Sequence, residues 1–198
     1  MEPNDLGRTS TDGGYNHTMP RAFASDDDQD LVRAEADVRA ELGGLDLDFR
    51  ALAAVSNIFR TATAVRNHME RSVLDEHALS WSAFVVLFVL RVWGDQEAHQ
   101  LADEAGITTG TLTGVLKTLE RKGLAQRRPH DTDRRRVLVA LTDDGRAVIE
   151  RVMPAFNRHE ALVTRDLDDT QADALAAGLR QVLRTVEALD SRVKGTRL

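Results

Sequence analysis

The 198-residue chain contains no cysteine. Disulfides, thiolate metal sites and thiol redox switches are therefore excluded. Aromatic residues make up only 5% and β-branched runs are short, so little favours a sheet-dominated fold. The longest apolar run, AFVVLFVL (Ala83 to Leu90), falls far short of the roughly 20 residues that span a bilayer. The opening MEPNDLGRTS lacks a basic start followed by an apolar stretch, so neither a signal peptide nor a membrane partner is expected, and the expected location is the cytoplasm. No glycine-rich phosphate loop or nucleophile elbow occurs. The histidines (His17, His68, His77, His99, His130 and His159) are scattered, with no pair at helical ligand spacing. No metal or cofactor is expected, Glu70 and Glu76 read as surface charges, and an enzyme is the weakest of the functional readings.

What the chain does have is Ala, Leu, Arg, Asp and Glu, a composition that favours helix. Residues 1–24 are polar, without periodic apolar positions, and read as a disordered tail. Residues 25–44 read as an extra acidic helix, capped by Ser25 or Asp26. Its apolar stripe is Leu31, Ala34, Val38 and Leu42, and Gly43-Gly44 stop it. A long helix is predicted from Asp46 to Glu76, with Leu52, Val55, Ile58, Phe59, Ala62, Val65, Met69 and Val73 recurring every three or four residues. LSWSAFVVLFVLRVWG reads as a helix buried nearly all round, from Ser80 to Gly94, and HQLADEAGI as a short one.

The stretch ITTGTLTGVLKTLERKG (Ile107 to Gly123) is unusual. As a helix capped by Thr108 it puts Leu112, Val115, Leu116 and Leu119 on one stripe. Gly110, Thr113, Gly114, Lys117 and Arg121 fall opposite. A face bare of side chains lets something approach the backbone. After it the period changes. LAQRRP and RVLVAL, the latter with Val137, Val139 and Leu141 alternating, read as a hairpin around HDTDRR. Two helices complete the chain, the first capped at Thr142 and the second opening at Asp168, with Asp168 and Gln171 as a variant of the capping box. Pro154 is expected to bend or interrupt the first. Leu175, Leu179, Val182, Leu183, Val186 and Leu189 stripe the second.

Two short helices joined by a glycine turn, the second presenting a slim polar face, form a helix-turn-helix, and the basic hairpin after it is a wing. The net charge of −6 is unevenly spread. Residues 1–48 carry 12 acidic and 4 basic residues, whereas residues 117–136 carry 8 basic residues against Glu120, Asp131 and Asp133. Local field outweighs total charge in binding a polyanion. The fold class is thus mainly α, a winged helix-turn-helix. Its candidate DNA-binding residues are Thr108, Thr109, Gly110, Thr111, Thr113, Gly114, Lys117, Arg121, Arg134 and Arg135. Arg134 at the tip is aimed at a minor groove, and Asp133 is expected to hold Arg135. The rival reading packs the bare face on another protein helix.

LADEAGITTGTLTGVLKTLERKGLAQRR and TDRRRVLVALTDDGR, with their flanking long helices, resemble the MarR family of bacterial winged-helix regulators. Asp133, Arg134, Arg135, Val139, Leu141, Thr142 and Gly145 match its wing signature. The resemblance spans about Asp46 to Leu189. It implies a homodimer with interlocking terminal helices, a pseudo-palindromic double-stranded DNA operator, and repression released by a small aromatic or anionic effector. That effector would lie between the dimerisation helices and the DNA-binding lobe. The recognition helix is similar to that of the peroxide-sensing branch, which needs a cysteine this chain lacks. The acidic helix is similar to the urate-responsive branch, but Val85 and Val115 stand where that branch's ligand residues align, so urate is not the expected ligand.

The expected organisation assigns 45–78 to an N-terminal dimerisation helix, 79–142 to the DNA-binding lobe and 143–198 to C-terminal dimerisation helices. A dimer also follows from the stripes on the first and last helices, which a winged-helix core does not need. Arg66, His68, Trp81, Phe84 and Arg91 are the candidate effector residues, aromatic walls with cations suiting an aromatic acid. The competing plain reading makes Trp81 and Phe84 core. The alternatives to a ligand-responsive repressor are a sequence-tolerant architectural DNA binder and a helical protein-binding adaptor.

Overall fold

The computed structural model describes residues 28–130, 132–133 and 136–195. The tail 1–24, the caps Ser25 and Asp26, and Asp131, Arg134 and Arg135 lie outside the described residues. The chain divides into two units, Met1–Ala62 and Thr63–Leu198.

In the first unit, α1 (Asp28–Leu42) is followed by α2 (Phe49–Met69), whose last turns belong to the second unit. The Asp48 carboxylate caps α2, accepting from the amides of Arg50 and Ala51 at 3.0 Å. The acidic helix needs a surface, and α2 supplies one. Asn57 donates to Glu35 at 2.8 Å, and the Arg39 guanidinium sits 5.1 Å over the Phe49 ring. A cleft of about 650 Å³ lined by Val32, Ala36, Arg39, Leu52 and Arg60, among others, runs between the two helices.

The expected single helix to Glu76 is corrected. After Met69 the backbone widens into a π-helical turn, Glu70–Leu74, then tightens into a 3₁₀ turn, Asp75–His77, and ends on Ala78 in the left-handed region at φ 51°. Glu70 in that turn accepts the Trp81 amide at 3.0 Å and pairs with Arg66. That bond ties the turn to the start of α3 (Trp81–Trp93), whose N-cap is Ser80 and whose end is Gly94.

The second unit forms its core around α3, where Ala83, Phe84, Val86, Leu87, Val89 and Leu90 are buried. Val92 and Trp93 are exposed, so burial all round stops one turn early. Against α3 pack α4 (Ala98–Glu104), α5 (Thr109–Arg121) and α6 (Asp143–Val163), burying Leu101, Leu112, Leu116, Leu119, Ile149 and Val152. Side chains of this size each stabilise by about 1.5–3 kcal/mol when fully buried.

The hairpin is β2 (Ala125–Pro129) against β3 (Val137–Leu141), with Ala125 opposite Leu141 and Pro129 opposite Val137. A third strand, β1 (Gln96–Glu97), pairs with the other edge of β3, giving the order β1-β3-β2. This corrects the alternation read along β3. As the central strand it buries Leu138, Val139 and Ala140 in succession and leaves Val137 50% exposed. Pro154 does not interrupt α6, which continues through it to Val163. α7 (Asp169–Gly195) opens with the anticipated reciprocal cap, Asp168 and Gln171 each accepting the other's amide at 2.8–3.0 Å.

One junction fixes the wing to α6. A Cβ on Gly145 would stand 1.9 Å from the carbonyl oxygen of Leu124, whereas one on Gly114 would meet nothing within 4 Å. Gly145→Ala is therefore expected to cost at least the ~1–3 kcal/mol of an overpacked core and to lower Tm by about 3–10 °C. Gly114→Ala should gain about 0.5–1 kcal/mol from better helix propensity. Thermal melts of the two variants check both signs.

Candidate nucleic-acid interface

α4, a turn and α5 make the helix-turn-helix. Gly106 takes φ 63° at the turn, and the Ile107 amide donates to Ala102 at 3.0 Å, closing α4. Thr108 then caps α5, its hydroxyl accepting from the Thr111 amide at 3.1 Å. Leu112, Leu116 and Leu119 hold α5 on the core and Val115 is half-buried, so the opposite face is the free one. Thr108, Thr109, Gly110, Thr111, Thr113, Gly114, Lys117 and Arg121 are all exposed there.

That face has little relief. Thr113 donates its hydroxyl proton to the Thr109 carbonyl at 2.9 Å, and Thr118 does the same to Gly114 at 3.2 Å. Folding these hydroxyls onto the backbone keeps the surface low and leaves each oxygen able to accept. A Cβ on Gly110 would touch only the Thr108 hydroxyl, at 3.8 Å. Neither glycine is demanded by the chain's own packing, although a mid-helix glycine costs about 1 kcal/mol.

The basic run is less free than its sequence suggests. Arg127 pairs with Glu120 at 2.9 Å, Arg128 with Asp95 at 2.6 Å, and Arg136 with Glu97. Lys122 donates to the carbonyl of Ala78. Lys117 and Arg121 have no such bond among the described residues and project from the exposed face of α5. Arg136 frames the base of the wing tip: its amide donates to Asp133 and its carbonyl accepts from His130. Arg134 and Arg135, which the sequence aims at DNA, lie outside the described residues. The long-range partners Asp95, Glu97 and Ala78 left no sequence signal, being 33 to 44 positions away from the cations they bind.

A family model described as the MarR family matches residues 79–137, the segment from α3 through the wing. The uncharacterized HTH-type transcriptional regulator YwaE of Bacillus subtilis (strain 168) is 34% identical over 157 residues, covering 78% of this chain and 92% of YwaE. The chain belongs to the MarR family. It is accordingly a DNA-binding transcriptional regulator rather than an enzyme. Among solved structures, Bordetella bronchiseptica BpsR, described by the regulation of its DNA binding by 6-hydroxynicotinic acid, is 28% identical. The match covers 65% of this chain and 98% of BpsR, with a TM-score of 0.59. A mutant of E. coli MarR complexed with operator DNA gives a TM-score of 0.63 at 24% identity, covering 70% of this chain and 99% of that one, a likeness of fold.

In this MarR-family chain the five candidate effector residues fall into separate environments. Arg66 and Trp81 share Glu70, which pairs with the first at 3.7 Å and accepts the backbone amide of the second. His68 contacts His159. Phe84 is buried, stacked on Phe156 at a centroid distance of 4.2 Å, with Trp81 6.1 Å from the same ring. Arg91 is bound to Glu150 at 3.0 Å, ten residues further along α3 than Trp81, or about 15 Å of helix rise. Trp81 and Phe84 thus stand together at the start of α3, Arg66 is linked to them only through Glu70, and Arg91 lies elsewhere.

Proposed function

We propose that the chain acts as a homodimeric, cytoplasmic repressor that binds a pseudo-palindromic operator and responds to a small aromatic or anionic effector. The observation that carries this reading is the face of α5: exposed throughout, stripped of side chains at two glycines the fold does not require, and flanked by two uncommitted cations. A helix of 13 residues, about 20 Å long, with that face fits the major groove, roughly 12 Å wide. Thr108, Thr109, Gly110, Thr111, Thr113 and Gly114 would approach base edges and phosphates. Lys117 and Arg121 would meet the backbone, and Arg134 and Arg135 the neighbouring minor groove.

The dimer reading is supported by exposed apolar stripes on α7 (Leu175, Leu179, Val182, Leu183, Val186, Leu189) and, separately, by exposed Val55 and Phe59 on α2. Two-fold pairing would set the recognition helices about 34 Å apart, one turn of duplex. The effector would sit against Trp81 and Arg66, which Glu70 links through the backbone amide of the first and the guanidinium of the second. The regulation of BpsR by an aromatic acid supports that ligand class.

Selection of bound duplexes from a random pool tests the reading. An inverted repeat with half-sites one helical turn apart is expected, bound at least ~10³-fold more tightly than random DNA at fixed salt. Sequence-independent binding would replace the repressor by an architectural protein. On the selected site, Arg134→Ala should weaken binding about 10-fold or more while leaving the dimer intact, measured by salt-controlled titration and sedimentation.

Lys117 on α5 and Lys122 at its C-cap separate contact from support. Lys117→Met should flatten the dependence of log affinity on log salt by about two units, because the dimer loses one phosphate contact from each subunit. Lys122→Met should leave that slope unchanged, because its ammonium group is held by Ala78. Equal slopes for both variants would place Lys117 away from the duplex.

A further inference from the structure

His68 on α2 and His159 on α6 are 91 positions apart, yet Nε2 of the first lies 2.9 Å from Nδ1 of the second. The rings are inclined at 44°, so the two nitrogens converge edge to edge rather than stacking. Ser72 in the π-helical turn places its Oγ 3.5 Å from Nδ1, the other nitrogen of His68. Neither imidazole has a part in the DNA-binding face, and π-turns inside α-helices are frequent at functional sites.

At 2.9 Å the two nitrogens share a hydrogen bond, one ring donating and the other accepting. With each imidazole's proton on its other ring nitrogen, both lone pairs become available to one ion. With metal–nitrogen bonds of about 2.0–2.1 Å, nitrogens at that separation subtend roughly 90°, the cis angle of an octahedral or tetragonal centre. Opening by a few tenths of an ångström reaches the tetrahedral angle. Metal on Nε2 fixes the His68 proton on Nδ1, where Ser72 can accept it, the outer bond that metal-bound histidines usually make. Imidazole nitrogen without carboxylate selects borderline ions over Mg²⁺ and Ca²⁺. The nearby carboxylates are committed elsewhere, Glu70 to Trp81 and Arg66, and Glu160 to Asn157.

We propose that His68 and His159 form a two-histidine site for a divalent transition-metal ion of the Ni²⁺, Cu²⁺ and Zn²⁺ group, clamping α2 to α6. Among the described residues no cluster of three or more metal-ligating side chains occurs. Water therefore completes the coordination, and the ion exchanges readily rather than serving as a permanent structural centre.

The test uses the full chain, freed of any affinity-tag histidines, and no DNA, so its outcome is independent of the operator reading. Titration with NiCl₂, and separately ZnCl₂, should bind one ion per chain and raise Tm by about 5 °C at saturation, with MgCl₂ inert. His68→Asn and His159→Asn should each abolish the shift, and His77→Asn and His99→Asn should keep it. With Cu²⁺ bound to the unmodified protein, electron paramagnetic resonance should register coupling to two imidazole nitrogens, a readout that does not depend on how the variants fold. Absence of any shift, its survival in both pair variants, or coupling to fewer than two nitrogens would overturn the site.

Discussion

The hydroxyl of Thr142 is the fixed point of the DNA-binding unit. It donates to the Gly123 carbonyl at 2.6 Å and accepts from the Gly145 amide at 3.0 Å, while the Thr142 amide reaches the Leu124 carbonyl at 3.3 Å. Three elements meet there: the exit of α5, where Gly123 turns at φ 70°, the end of β3, and the start of α6. Gly145 lets Leu124 approach because it carries no side chain. The angle between recognition helix and wing is set by this knot, and the charged tip hangs from strands anchored at their inner ends. Thr142 was readable as a helix cap; its second task of holding the preceding loop was not, since a sequence carries no sign of which carbonyl will arrive.

The glycines of the chain divide by what surrounds them. Gly145 is required by the interior and Gly106 by a left-handed turn, but Gly114 by neither. Sequence periodicity could locate Gly110 and Gly114 on the face opposite the leucines, and that placement holds. It could not distinguish a glycine that admits a protein neighbour from one that admits a partner. The space above Gly114 is empty of the chain's own atoms, so internal packing does not call for that glycine. Local signals were the readable ones: the caps Ser80, Thr108 and Thr142, the Asp168–Gln171 pair, and the stop at Gly94. Each is a bond across a few residues, fixed by local geometry.

The features that escaped are either too short or too distant. β1 is two residues long, below any periodicity, and its pairing makes β3 a central strand, along which Leu138, Val139 and Ala140 are all buried. The π-helical turn after Met69 leaves the 3.6-residue pattern almost intact. The basic run shows eight cations against three nearby acids in sequence, and the partners of Arg128 and Arg136, Asp95 and Glu97, lie outside it, while Arg127 is engaged by Glu120. These exposed pairs add little stability individually. They tie the wing strands to α5 and to the segment that carries β1.

The stripe of α7 makes its own demand. Leu175, Leu179, Val182, Val186 and Leu189 are spaced four, three, four and three residues apart, the 3.5-residue period of a helix paired with another helix rather than of one lying on a globular core. Each is 43–55% exposed, so covering the remainder is worth about 1 kcal/mol per residue, or roughly 10 kcal/mol for the stripes of two chains. Association itself costs an estimated 4–15 kcal/mol. A pair of α7 helices alone therefore sits near balance, and a stable homodimer needs more surface than this seam. Leu162, Val163 and Leu167, exposed where α6 ends and the chain turns towards α7, offer it within the same unit. The proposed two-fold would then rest on both C-terminal helices, with α7 setting the register and the end of α6 adding area.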